Sequence, residues 1–358
     1  MLKMSELHSE VWSRLLAWRA RLPHALLISG VKGLGKTDLA MEFSASLLCE
    51  ALKADGAACG QCPACQWFLK GNHPDFRVLT PAALAPAAEK TDKKAKETDA
   101  EAEEKKSNRK GQDIPIDEVR ALDDFLSVGT HRQKLRVILI CPAEALNQNA
   151  ANALLKSLEE PPPDTLFLLI SHEPMRLLPT LRSRCQNLPV PLPSIARGER
   201  FLAEKGVKEA ASWLALAGGA PKRALALAEN CAAWFGEFLE CLQQGERLEV
   251  LDAAARLEKS LKAVKGENPL PQLVEWAQKW TLDLSLSAQG ASVRFYYAQR
   301  AKITTLAEKC QTILLSRFDR YLLRQKQVSA HTLNTRLFLE QLLFEYRALF
   351  MAQSPRLE

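Results

Sequence analysis

Gly30-Val31-Lys32-Gly33-Leu34-Gly35-Lys36-Thr37 has the spacing of a phosphate-binding loop: a glycine, four residues, then Gly-Lys-Thr. Each residue type has a physical job at its position. Glycines let the backbone curl until successive N–H groups point inward at an anion. Lys36 is placed to reach the β- and γ-phosphates, and the Thr37 hydroxyl is placed to meet Mg²⁺. Upstream, His24-Ala25-Leu26-Leu27-Ile28-Ser29 reads as a buried strand entering the loop. Downstream, Thr37 to Lys53 reads as a helix whose N-terminus aims at the bound anion. A chance glycine-rich turn is the alternative, and it leaves the order strand, loop, helix unexplained.

Moving outward, the same alternation repeats. Residues 5–22 carry Leu7, Val11, Trp12, Leu15, Leu16, Trp18 and Leu22 at helical spacing, which predicts a helix packed beside the nucleotide fold. Short strands are expected at 76–80, 135–140, 165–170 and 186–190, with helices after Ile114, from Asn147 to Glu160 and around Met175 to Arg184. Pro161-Pro162-Pro163 stops the second of these helices. The run Leu135-Arg136-Val137-Ile138-Leu139-Ile140 is nearly all apolar, as a strand covered on both faces requires. This is an α/β phosphate-loop domain with a parallel sheet. It is expected to span residues 1–193, where Pro189, Pro191 and Pro193 punctuate the chain. Beyond Ser194 helical patterns dominate. They divide into a small helical region, 194–230, and a larger all-helical region, 231–358, whose Trp276, Trp280, Phe338, Phe344 and Tyr346 are expected to pack its core.

Cys49, Cys59, Cys62 and Cys65 form a second constellation. The last three are separated by two-residue gaps, which let a tight turn present neighbouring sulfurs to one ion, and Gly60 and Pro63 are turn formers. Four thiolates fill a closed tetrahedral zinc shell, so the predicted role is structural. His73 follows nearby, but with the shell already filled it reads as a loop residue. Within 81–112, the stretch Glu89 to Lys110 holds eight Lys or Arg, seven Asp or Glu, and no apolar side chain larger than alanine. It cannot bury a core and is expected to be a solvated insertion.

The bulk numbers set bounds. A chain of 358 residues holds two or three domains, and 47% hydrophobic content is ample for their cores. The net charge of +6 is compatible with a nucleic-acid-facing assembly without requiring one. No apolar run approaches a membrane span and the first residues carry no signal-peptide core, so a cytoplasmic location is expected, with the nine cysteines as thiols or metal ligands.

An ATP-hydrolysing phosphate-loop enzyme needs an acid at the end of the next central strand to hold Mg²⁺. The strand ending at Ile140 runs instead into Cys141-Pro142-Ala143-Glu144. Glu144 is expected to lie already in the following turn. Nucleotide binding without efficient turnover is the reading that follows.

Two further segments carry a resemblance: Asn152-Ala153-Leu154-Leu155-Lys156-Ser157-Leu158-Glu159-Glu160-Pro161-Pro162 and Leu181-Arg182-Ser183-Arg184-Cys185. Together with the cysteine module and the helical tail, they resemble the AAA+ subunits of bacterial clamp loaders over the chain outside 81–112. The resemblance implies a nucleotide-binding domain, a lid at 194–230 and an oligomerisation collar at 231–358. It implies that Arg184, in Ser-Arg-Cys, reaches into a neighbouring subunit's ATP site as an arginine finger. Ser171 and His172 fall at the first sensor position, and Lys222 falls near the second, where the family keeps an arginine. With the acids missing, the chain is similar to a non-motor member rather than to the gamma/tau motor. The implied partners are gamma/tau motor subunits and the delta subunit, and through them a sliding clamp and primer–template DNA. Zn²⁺ and ATP with Mg²⁺ are the implied ligands, with ATP binding left open. Two other readings stand beside this one: a hydrolysing gamma/tau-like motor, and a zinc-dependent nucleic-acid-binding protein with a vestigial nucleotide fold.

Overall fold

A computed structural model of the chain describes residues 3–82, 84, 113–127, 129–130, 135–262, 268–331 and 333–351. The charged stretch expected at Glu89 to Lys110 lies outside the described residues. Two compact units are present, Met1–Pro193 and Ser194–Glu358.

The first unit is built on five parallel strands: β1 (Ala25–Ser29), β2 (Phe76–Leu79), β3 (Arg136–Ile140), β4 (Thr165–Ser171) and β5 (Gln186–Pro189). Their order across the sheet is β2-β3-β4-β1-β5. Every residue of β1, β3 and β4 is buried, which explains why these segments read as unbroken apolar runs rather than alternating ones. On one face Leu27, Ile138, Ile140, Phe167 and Leu169 pack with Val119, Leu122, Leu154 and Leu158 from helices Ile116–Ser127 and Gln148–Glu159. Asn147 caps the second of these helices by accepting the Ala150 N–H at 2.8 Å. Helix Lys36–Leu48 leaves the loop after β1 and packs against β1 and β4. It stops at Leu48, short of the expected Lys53, because Cys49 turns to an extended conformation, φ −67° and ψ 139°.

The expected N-terminal helix is three pieces, Met4–Leu7, Ser9–Trp18 and a 3₁₀ turn Arg19–Arg21. The break at His8 has a cause. Its Nε2 lies 2.8 Å from the Leu34 carbonyl, which can only accept, so Nε2 carries the proton and ties the segment to the phosphate loop. Glu42, from the helix after the loop, accepts the N–H groups of Met4 and Ser5 at 3.0 Å each.

Among the described residues, the regular elements of the second unit are all helices. A single helix, Pro221–Gln244, runs through residues 230 and 231. Trp276, Trp280, Phe338 and Tyr346 are buried as expected, whereas Phe344 is 44% exposed. Phe344 therefore belongs to the outer face of helix Thr335–Ala348, and its apolar character alone did not reveal that. The Trp280 indole N–H donates to Tyr346 at 3.0 Å, and the Tyr346 hydroxyl donates to the Leu242 carbonyl. The buried polar ends of Trp280 and Tyr346 thus have partners, as burial demands. Among the described residues, no helix is long and apolar enough to cross a membrane.

Candidate nucleotide cradle and metal centre

The parallel sheet brings the carboxyl ends of β1, β3 and β4 to one edge, where open α/β sheets place their ligands. Gly30 closes β1, and Gly33 and Gly35 adopt φ of 85° and 86°, a left-handed conformation that suits residues without a Cβ. A Cβ on Gly30 would stand 2.7 Å from the Val190 carbonyl, so the loop admits no side chain there. Gly35 is the N-cap of the helix that begins at Lys36, so the free N–H groups of its first turn lie at the loop.

Lys36 is almost fully buried. Its ammonium donates to two carbonyls of its own loop, Gly30 at 2.7 Å and Val31 at 2.8 Å. Burial pulls its pKa down to about 8, against the opposing pull of Glu144 and of Cys141. The cation is therefore held inside the cradle by backbone oxygens that a phosphate would replace.

Thr37 and Cys141 meet directly, Oγ1 to Sγ, at 3.1 Å. A thiol thus stands where the Mg²⁺-binding acid of a motor would stand. Burial raises the pKa of Cys141 further, and keeps it a neutral S–H. Glu144 lies in the turn after β3, as expected, and that turn also brings it into this group. The 3₁₀ turn Ala143–Ala145 folds it back until Oε1 accepts the His172 N–H at 2.8 Å. It is near enough to act on the charges of Lys36, Cys141 and His172. Only folding shows this, because the three-residue offset from Cys141 carries no local signal. Burial, aided by Lys36, lowers the pKa of His172 and keeps its ring neutral. Ser171, at the end of β4, is fully buried, and its carbonyl accepts the Gly30 N–H at 3.3 Å.

The four sulfurs of Cys49, Cys59, Cys62 and Cys65 lie within 4.8 Å of one another. Cys49 and Cys62 are 4.0 Å apart, and Cys59 and Cys65 are 3.8 Å apart. Metal–sulfur bonds of about 2.3 Å in a tetrahedron require sulfurs about 3.8 Å apart, so the set fits one zinc ion. The backbone is arranged for thiolates. N–H groups of Gln61 and Cys62 point at Cys59 Sγ from 3.4 and 3.3 Å, and they bring its pKa down to about 6. Burial pushes Cys65 up to about 12, so a bound metal would have to displace its proton. His73 stays apart: its Nδ1 accepts the Asp75 N–H at 3.1 Å.

Arg184 caps helix Pro179–Ser183, on the other side of Ser183 from Arg182. Its guanidinium donates to the Thr180 carbonyl at 3.0 Å and pairs with Glu159 at 2.5 Å. Cys185 packs against the sheet core. Lys222 stands in the first turn of helix Pro221–Gln244, in the second unit.

The sequence profile of the family described as "DNA polymerase III, delta subunit" matches residues 8–193. The DNA polymerase III subunit delta' of Pseudomonas aeruginosa is 36% identical, over 95% of this chain and 96% of that one. This chain belongs to the DNA polymerase III subunit delta' family. Other members match more briefly: delta' of Escherichia coli is 34% identical over 57% of this chain and 54% of its own. Beyond the delta' family, the tau subunit of Bacillus subtilis is 27% identical over 62% of this chain and 35% of its own. Among solved structures, a gamma subunit-related protein from Thermotoga maritima aligns over 95% of this chain and 99% of its own, with 19% identity and a TM-score of 0.45.

Proposed function

We propose that this delta' family member works in a DNA polymerase III clamp loader as a partner subunit and not as a motor. It would sit among gamma/tau motor subunits and a delta subunit, and help place a sliding clamp on primed DNA. Residues 194–230 would serve as its lid and 231–358 as its collar. The observation that carries this reading is the contact between Thr37 and Cys141. Hydrolysis needs a carboxylate there to hold Mg²⁺ and a neighbour to position water. A neutral thiol does neither, so the cradle holds nucleotide without turning it over efficiently.

Arg184 carries the active role in this proposal. A guanidinium brought to a γ-phosphate neutralises charge that develops during transfer. Its pair with Glu159 is a partly exposed one, with side chains 34% and 49% exposed, and such pairs are worth about 0.2–1 kcal/mol. A neighbour's triphosphate outcompetes so weak a hold. The four-cysteine site takes one structural Zn²⁺.

The test is steady-state ATPase of the purified chain alone and of the reconstituted loader. Turnover by the chain alone should be negligible. Robust turnover that Lys36→Ala abolishes would sink this reading in favour of a motor.

A further inference from the structure

Mg²⁺ is the expected companion of a nucleoside triphosphate in a phosphate loop, and the groups around Thr37 do not suit it. The ion demands a near-octahedral shell of oxygens and is poorly served by sulfur. Here the hydroxyl that would reach it has Cys141 Sγ as its side-chain partner, at 3.1 Å. Glu144 is the carboxylate drawn into the group; its Oε1 is engaged by the His172 backbone N–H, and its buried Oε2, without a hydrogen bond, is the single oxygen it could offer a cation. Positive charge, by contrast, is supplied by the protein itself. Lys36 is buried within the loop, Lys32 stands close enough to act on His172, and the helix beginning at Lys36 presents its N-terminus.

We propose that the Gly30–Thr37 cradle binds a nucleoside triphosphate as its free anion, with Lys36 and the loop N–H groups carrying the charge compensation and no divalent cation bound. This rests on the reading that the loop binds nucleotide at all. Its consequence is that the site senses occupancy: a triphosphate enters and leaves without a magnesium-dependent step, and the loop serves as a ligand-held strut.

The experiment titrates the full-length chain with ribose-labelled fluorescent ATP, once in Mg²⁺ and once in EDTA. Wild type should bind with Kd values within about threefold of each other, whereas Cys141→Asp, which restores an oxygen donor, should bind at least about tenfold tighter in Mg²⁺. Lys36→Ala should lose binding in both buffers, which assigns the signal to this cradle. Wild-type binding that tightens about tenfold or more in Mg²⁺ overturns the proposal, and loss of that gain in Glu144→Gln would identify Glu144 as the ligand instead. Insensitivity of Cys141→Asp overturns the assignment to the thiol. If that variant fails to fold, the wild-type pair of titrations still decides. No wild-type binding in either buffer removes the nucleotide reading itself, and is distinct from magnesium-dependent binding, which removes only this inference.

Discussion

Lys36 shows how a motif residue acquires its properties from its surroundings. Burial lowers its pKa to about 8, and Glu144 and Cys141 oppose that shift only in part. A bound triphosphate favours the charged form and draws the value back up. Nucleotide binding should therefore take up a proton near pH 8 and above, and Kd should weaken as pH rises from 7 to 9. Fluorescence titrations at both pH values check this, and a flat pH profile would contradict it. Folding responds with the opposite sign. The folded pKa lies below the unfolded one, so the unfolded state binds more protons between about 8 and 10.4 and stability gains from Lys36 as pH rises through that window. Arg184 makes the other prediction at this scale. Arg184→Ala should leave assembly intact by size-exclusion chromatography and lower turnover at the one motor site it serves. A finger in trans is worth about 10³–10⁵ in rate, far above the fraction of a kcal/mol at stake in the Glu159 pair. Full loader ATPase with clamp and DNA present would refute the assignment.

At the scale of elements, the cysteine module is the testable piece. Cys62 is the N-cap of helix Pro63–Leu69, and its sulfur accepts the Cys65 N–H at 3.5 Å, so the metal site and the helix start are one structure. Metal analysis of the purified chain should find about one zinc per chain, and loading should release protons, Cys65 giving up the most tightly held. Cys65→Ser should lower the zinc content and raise hydrogen exchange across 59–71, while the β1–β4 core stays protected. Unchanged exchange in the zinc-free protein would show that the helix does not depend on the ion. This module was legible before folding because its signal is local: three cysteines within seven residues announce themselves. Glu144 was not legible, since its membership depends on β3 and β4 lying side by side, with Ile140 in register with Leu169.

At the scale of the molecule, each unit has its own core. The five strands and the helices that cover them fall within residues 1–193. The second unit has a separate aromatic core, in which Trp234 and Trp276 lie tilted at 36° with ring centres 4.7 Å apart and Trp280 meets Tyr296 edge-on at 5.0 Å. Trp276 and Trp280 are interior, so neither offers a face on which a nucleic-acid base could stack. Residues 1–193 expressed alone should fold, unfold cooperatively in urea and keep nucleotide binding. A fragment with no cooperative transition would show that the sheet domain needs the helical unit. Trp276→Ala in the full chain should cost the second unit about 3–5 kcal/mol, through the cavity left by a fully buried ring.

The phosphate loop, the strand and helix around it, the parallel α/β class and the four-cysteine set were determined by the sequence alone. Each is written in residues close together in the chain, where spacing directly sets which groups can meet. The break at His8, the end of the helix at Cys49, the place of Glu144 and the contact of Thr37 with Cys141 were decided only by the tertiary structure. Thr37 and Cys141 are 104 positions apart, and no periodicity or spacing links them. They meet because packing a twisted parallel sheet sets the ends of different strands side by side. The loop alone promises an engine, and the sulfur brought against its threonine is what argues for a cradle.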